Sequence, residues 1–259
     1  MIKIQIKKTP KKNKINVLDL FGGSNHSVAK ALNNRKYNII TVDLFHLQDE
    51  TDWSYKNELV DIDLSTPKGA EKLIKYLHKL GIDKFDIITA SPPCTTFSIA
   101  SAITIYGNSY YKYKTNSKLT IPSKDEYEKW TGKLWTQEKT ITRYKNENCL
   151  KNTIKLIKHY TPKNWYIENP KTSKMWQFIK YNLKNSIKGK SNDTYYNNYG
   201  FPIPKATKFL SNQKLILKNK KIKSKINWNK FKDNNKQNQR SLIPSKLILD
   251  IFNQFDKKN

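Results

Sequence analysis

Asp86-Ile87-Ile88-Thr89-Ala90-Ser91-Pro92-Pro93-Cys94-Thr95-Thr96-Phe97-Ser98 is the stretch whose reading decides the fold. It opens as a short apolar run with β-branched residues, the pattern of a buried strand. Pro92-Pro93 end that run, because proline cannot donate to a ladder. Cys94 then stands where the strand releases into a loop. In open α/β sheets ligands bind outside the carboxyl ends of the strands. A thiol held there behind two stiff residues is placed as a nucleophile. A free cysteine is also a common small core residue, so the rest of the chain has to decide.

Upstream, Ile15 to Phe21 reads as a first buried strand, broken by Gly22-Gly23-Ser24-Asn25. Ser27 to Asn33 follows with helical spacing. Strand, glycine turn and helix open a nucleotide-binding βαβ unit, in which small residues let the backbone approach a ligand. Tyr37 to Leu44 is a second strand. It carries Asp43, 24 residues after Asp19, at the position where an acid binds a ribose hydroxyl pair. Val60 to Leu64 is a third short segment with acids at its end. Pro67 to Leu80 is an amphipathic helix stopped by Gly81, and Phe85 to Ala90 is the fourth strand.

Downstream, Ile103 to Tyr144 is polar and rich in tyrosine and lysine, with no clear period. It is read as a long insertion whose aromatics and lysines suit bases and phosphates, or as a disordered one. Glu147 to Tyr160 is expected to be a helix. Asn164 to Pro170 is a fifth strand carrying Glu168, an acid that needs a partner or a task when buried. Thr194 to Gly200 is expected as a sixth strand and Ser241 to Phe255 as a last helix.

The chain has 259 residues, 37% of them hydrophobic, enough for one large α/β domain. No apolar run is long enough to span a membrane, and Met1 to Lys14 has no signal-peptide core. An intracellular protein, encoded by a cell, a virus or a mobile element, and a monomer are the expectations. Cys94 and Cys149 make no disulfide framework, and no metal-ligand spacing is present. The net charge is +28, with only Arg35, Arg143 and Arg240 as arginines. Such a charge points to a polyanion partner, most simply nucleic acid.

In this order the segments resemble the C5-cytosine DNA methyltransferase family, and most closely its short phage-type members. The matching residues are Asp19-Leu20-Phe21-Gly22-Gly23, Asp43, Asp61, Ser91-Pro92-Pro93-Cys94 and Glu168-Asn169. The resemblance extends to Asn198-Tyr199-Gly200, to Lys205 through Asn212, and to Arg240-Ser241-Leu242-Ile243-Pro244. It implies a Rossmann-like α/β methyltransferase core, a mostly parallel sheet flanked by helices. That core would comprise residues 1–200 and 240–259, with a small basic target-recognition segment over 201–239.

The resemblance also implies roles. The cofactor would be S-adenosyl-L-methionine, held by Asp19 to Gly23, by Asp43 and Leu44 at the ribose, and by Asp61 and Ile62 at the adenine. Ser91, Pro92 and Ser241 would complete that site. Cys94 would add to C6 of a cytosine flipped out of double-stranded DNA, so that C5 can take the methyl group. Glu168, with Pro93 and Asn169 beside it, would manage the proton at ring nitrogen N3. Lys205, Thr207, Lys208 and Arg240 would contact nucleic acid.

The chain departs from the family at two places. Asn25 and His26 replace glycines that usually continue the first loop. The segment Thr194 to Gly200 lacks an arginine that many members use near the pyrimidine, and Lys205 and Asn198 are the two candidates to replace it. Two rival readings stay open: the same chemistry on RNA, and a catalytically inactive DNA-binding protein that keeps the fold.

Overall fold

The computed structural model describes residues 14–23, 25–32, 36–44, 58–99, 102–104, 107–108, 110–114, 116–222 and 241–256. A seven-stranded sheet organises them. Its strands are β1 (Ile15–Leu20), β2 (Tyr37–Asp43), β3 (Glu58–Asp61), β4 (Ile87–Ala90), β7 (Asn164–Pro170), β8 (Lys190–Tyr195) and β9 (Ala206–Ser211), in the spatial order β3-β2-β1-β4-β7-β9-β8. A separate two-stranded hairpin joins β5 (Ala102–Thr104) to β6 (Gly107–Asn108).

The five strands from β3 to β7 pair in parallel. Central parallel strands are covered on both faces and therefore read as near-continuous apolar runs; all four residues of β4 are buried. From β1 the chain moves outward to β2 and β3, then returns to place β4 on the other side of β1. This reversal is a topological switch point, and it opens a crevice between the carboxyl ends of β1 and β4. Strand β9 runs antiparallel between β7 and β8. It therefore brings its amino end, not its carboxyl end, to the same rim. The architecture is Rossmann-like α/β, a mostly parallel sheet flanked by helices.

Helices α2 (Gly69–Lys79) and α4 (Gln137–Tyr160) cover one face through Leu73, Leu77, Leu150, Ile154 and Ile157. Helices α1 (Ser27–Ala31) and α5 (Ser245–Asp256) cover the other through Val28, Leu247, Ile248, Ile251 and Phe252. The carboxyl-terminal segment is pinned to the first loop, since the Ile243 N–H donates to Ser27 Oγ at 3.1 Å.

Three sequence expectations are corrected. The polar insertion is structured: it contains the hairpin, helix α3 (Lys124–Thr131) and the first turns of α4. Ser123 caps α3 and Glu126 reaches back to the Ser123 N–H, a reciprocal capping box. Helix α4 begins ten residues before the expected Glu147, at Gln137. Its early turns lack an apolar period but carry Glu147 in i,i+4 pairs with Arg143 and Lys151. The sixth strand ends at Tyr195, and Tyr196–Tyr199 forms a 3₁₀ turn closed by Gly200 at φ 86°. The carboxamides of Asn197 and Asn198 cap backbone carbonyls there, the usual way asparagine favours a turn over a strand.

The expected division at residue 200 falls inside the sheet, because Ala206–Ser211 is the strand between β7 and β8. Of the proposed recognition segment, residues 223–239 lie outside the described residues, as does Arg240.

Candidate active site

Two groups of side chains meet at the carboxyl rim. The first surrounds the ends of β1, β2 and β3. Phe21 and Gly23 both take left-handed backbone angles, φ 63° and 59°, which turn the chain sharply out of β1. Gly22 must be glycine for a different reason, since a Cβ there would collide with Thr41 Cγ2. The Gly23 N–H donates to Asp43 Oδ2 at 2.7 Å, and the Leu44 N–H donates to Oδ1 at 2.8 Å. Asp43 thus ties the glycine turn to the end of β2. His26 takes a left-handed conformation where the family has glycine, φ 43°. Asn25 spends its carboxamide on Ser241 Oγ at 2.8 Å, which brings the expected Ser241 to this turn.

Asp19 is buried in β1. Its Oδ1 accepts from the Thr89 hydroxyl at 2.7 Å, while Oδ2 has no hydrogen-bond partner among the described residues. Burial raises its pKa to about 7; the Thr89 bond opposes that rise and the charge of Asp43 adds to it. A buried carboxyl with one unanswered oxygen at a switch-point crevice is built for a donor or cation that the protein does not supply. Leu20, expected in the cofactor loop, keeps its side chain in the core and uses its carbonyl to accept the Ser91 N–H at 3.1 Å. Asp61 ends β3 and Ile62 follows it, both half-buried at the edge of the same group.

The second group surrounds the ends of β4 and β7. Register pairs Ala90 with Ile167, so the Cys94 loop leaves β4 beside Glu168 and Asn169. Asn169 Nδ2 donates to the Pro92 carbonyl at 2.9 Å and locks the loop to β7. Thr96 accepts from Asn146 of α4 at 3.4 Å, and Phe97 stacks on Tyr111 at 5.7 Å. The Tyr111 hydroxyl in turn donates to Glu147. The segment read as an insertion is therefore the wall behind the Cys94 loop.

Cys94 is half-buried. Burial and the negative charge of Glu168 push its thiol pKa up, and Lys205 pulls the other way. Cys149 is buried in α4, where burial first and then Asp63 and Asp43 push its thiol up to about 12. Of the two sulfurs, only Cys94 stands at the rim with a cation near it.

Lys205 and Tyr196 reach this group because β9 runs opposite to β7. The Tyr196 hydroxyl donates to Glu168 Oε1 at 2.9 Å, and Lys205 Nζ lies 4.7 Å from the Tyr196 ring centroid. Asn198, the other candidate for the missing arginine, instead donates to the carbonyls of Tyr195 and Lys220. Thr207, expected to touch nucleic acid, is fully buried beside Tyr196. Lys208 extends over Trp176 at 5.5 Å and Lys174 over Tyr113 at 4.5 Å, so two lysine–aromatic pairs flank the mouth. Tyr196, Lys174 and Trp176 were not singled out from sequence. The tyrosine lay in a run read as strand, and only the Asn-Asn pair after it signalled the turn that aims it.

Comparison with known proteins points the same way. No protein-family model matches the chain. It is 26% identical over 164 residues to the "Probable DNA (cytosine-5)-methyltransferase" of Frog virus 3 (isolate Goorha), across 63% of this chain. The family resemblance holds. The chain spans 57% of the length of that viral relative. Among solved structures it is similar to a protein described as a DNA modification methyltransferase encoded within an E. coli prophage. That pair is 15% identical with a TM-score of 0.44, over 76% of this chain and 46% of the other. It is also similar to the methyltransferase EhMeth of Entamoeba histolytica, 16% identical with a TM-score of 0.43, over 83% and 62% of the two chains. No helix among the described residues is long and apolar enough to cross a membrane.

Proposed function

We propose that the chain is a DNA methyltransferase, and more finely that it methylates C5 of cytosine through a covalent Cys94 adduct. The observation that carries this reading is the pairing of Cys94 and Glu168 at adjacent strand ends, joined by the Asn169 to Pro92 hydrogen bond. Cytosine C5 is a weak nucleophile until something adds at C6. A thiolate is the side chain best suited to add there near neutral pH. The resting thiol is held up by burial and by the charge of Glu168. Neutralising that carboxylate as the base enters therefore favours the thiolate when it is needed. The base has to leave the duplex to reach a thiol set behind the rim.

The first group fits S-adenosyl-L-methionine. Asp19 Oδ2 is a buried acceptor awaiting a donor, and Gly23 has open space around its Cα. Asp19 would hold the cationic methionine end, Asp43 and Leu44 the ribose, and Asp61 and Ile62 the adenine. The bound cofactor supplies an electrophilic methyl group. The protein's part is to aim it across the switch point toward the Cys94 side.

Double-stranded DNA as partner is supported by the +28 charge and by the lysine–aromatic pairs at the mouth. The test is covalent trapping on DNA containing 5-fluorocytosine in the presence of S-adenosyl-L-methionine. Fluorine at C5 blocks the final elimination, so the Cys94 thioether persists. Wild type and Cys149→Ser should form the adduct and Cys94→Ser should not. A wild-type protein that binds DNA and cofactor yet gives no adduct would favour the inactive DNA-binding alternative.

A further inference from the structure

Glu168 has a partner that neither the motifs nor the covalent chemistry call for. Tyr196 is fully buried on the α5 side of the sheet, and its hydroxyl donates to Glu168 Oε1 at 2.9 Å. Thr207, itself fully buried, lies against the same hydroxyl. The ring packs edge-to-face on Phe201 at 5.7 Å, and its backbone N–H donates to the Lys205 carbonyl at 3.0 Å. Lys205 then folds its ammonium back over the ring at 4.7 Å. A plain core position would be served by phenylalanine, and burying a hydroxyl costs energy unless the bond it makes is wanted.

The direction of this bond has a consequence. Tyr196 donates into Oε1 of Glu168, while the Thr207 hydroxyl gives its own proton to the Lys205 carbonyl at 3.5 Å. Burial and Glu168 hold the phenol far above its ordinary pKa, so it stays a donor. With Oε1 receiving a proton, any proton that Glu168 carries sits on Oε2.

Resting on the function proposed above, we propose that Tyr196 is a positioning residue that fixes Oε2 of Glu168 as the oxygen serving cytosine N3, while Lys205, laid on its ring, keeps a cation beside Cys94. In the step concerned, the Cys94 thiolate bonds to C6. The C5–C6 π pair moves to C4–C5, the C4–N3 pair moves onto N3, and the Oε2 proton passes to N3. The products are a neutral enamine adduct and a Glu168 carboxylate, so charge and protons balance.

The experiment is single-turnover adduct formation on 5-fluorocytosine duplex DNA at saturating DNA and cofactor. Tyr196→Phe keeps the ring and removes the hydroxyl. It should slow the reaction roughly 10- to 100-fold, the scale of one hydrogen bond to a charged group, with cofactor and DNA affinities unchanged. In a Glu168→Gln background the same change should add almost nothing, because Tyr196 acts only through Glu168. Lys205→Met should lose the rate and Lys205→Arg should restore a large part of that loss, which keeps the idea testable if Tyr196→Phe fails to fold. An adduct formed equally fast by wild type, Tyr196→Phe and Lys205→Met overturns this inference and leaves the function standing. An undiminished extra loss in the Glu168→Gln background overturns it too. No adduct from wild type overturns the function and this inference together.

Discussion

The rim of the sheet is divided by chemistry at the switch point. On the β1–β2–β3 side the groups are acids: Asp19, Asp43, Asp61 and Asp63. On the β4–β7–β9 side a thiol and a carboxyl have Lys205 beside them, and Lys174 and Lys208 lie on the rings of Tyr113 and Trp176. In a chain of net charge +28 the acidic cluster is the unusual half. Four carboxyls at neighbouring strand ends repel one another and are tolerable only with donors to answer them. The division suits two different guests, a small cationic, hydroxyl-rich cofactor on one side and a polyanion on the other. Parallel strands bring both halves to one edge, and the single antiparallel strand adds the lysine that a parallel one would have sent to the far end.

The largest expected effect on the acidic half concerns Asp19. Its carboxyl moves from an ordinary 3.8 to about 7 on folding. A raised carboxyl value means the folded state holds its proton more tightly. The stability it contributes is complete below about pH 4 and is lost as pH rises through 7. Three pH units at about 1.36 kcal/mol each amount to roughly 4 kcal/mol. Asp19→Asn should remove that decline in denaturant melts taken between pH 4 and 8, making the variant the more stable protein at the alkaline end. A cation bound beside Asp19 would reverse the penalty, so cofactor affinity should rise with pH in wild type and stay flat in the variant. Parallel stability curves for the two proteins would show that Asp19 is ordinary and the acidic half is not strained.

Asp43 should matter less. It bonds the glycine turn at Gly23 and, in the proposed complex, the ribose as well. Asp43→Ala should weaken S-adenosyl-L-methionine binding by about 1–3 kcal/mol, the scale of hydrogen bonds to a charged group. Calorimetry returning the wild-type affinity would remove Asp43 from the cofactor site and leave it as a turn anchor only.

Much of this rim was legible in the sequence because buried parallel strands are written as apolar runs with a sharp stop. Ile87-Ile88-Thr89-Ala90 before Pro92-Pro93 and Trp165-Tyr166-Ile167 before Glu168 are such runs, and both strands lie where they were expected. The wall behind Cys94 was not legible, because Tyr111, Arg143 and Glu147 are buried through polar contacts that leave no apolar period. One local signal was there to be used: Ser123-Lys124-Asp125-Glu126 is a capping-box spacing, and it starts α3. Tyr196 and Thr207 escaped for a further reason. Their meeting with Glu168 depends on strand order, and β9 inserts between β7 and β8 out of chain sequence.

The smallest effect tests the basic half. If Lys208 and Lys174 neutralise phosphates, DNA affinity falls with salt, and each lost contact lowers the log–log slope by about 0.9. Lys208→Ala should therefore cut the slope by roughly that amount and weaken binding only a few-fold at low salt. The control is Lys158, an exposed lysine near the end of α4. Helix α4 leads into the start of β7, so Lys158 lies at the amino ends of the strands, across the sheet from Cys94. Lys158→Ala changes net charge by the same amount as Lys208→Ala. If binding is localised at the carboxyl rim, Lys208→Ala should change the slope and Lys158→Ala should not. Equal changes would mean that the whole surface attracts DNA without a preferred face. A wild-type slope near zero would mean that the positive charge has no nucleic-acid role, and the contrast between the two halves of the rim would then rest on Cys94 and Glu168 alone.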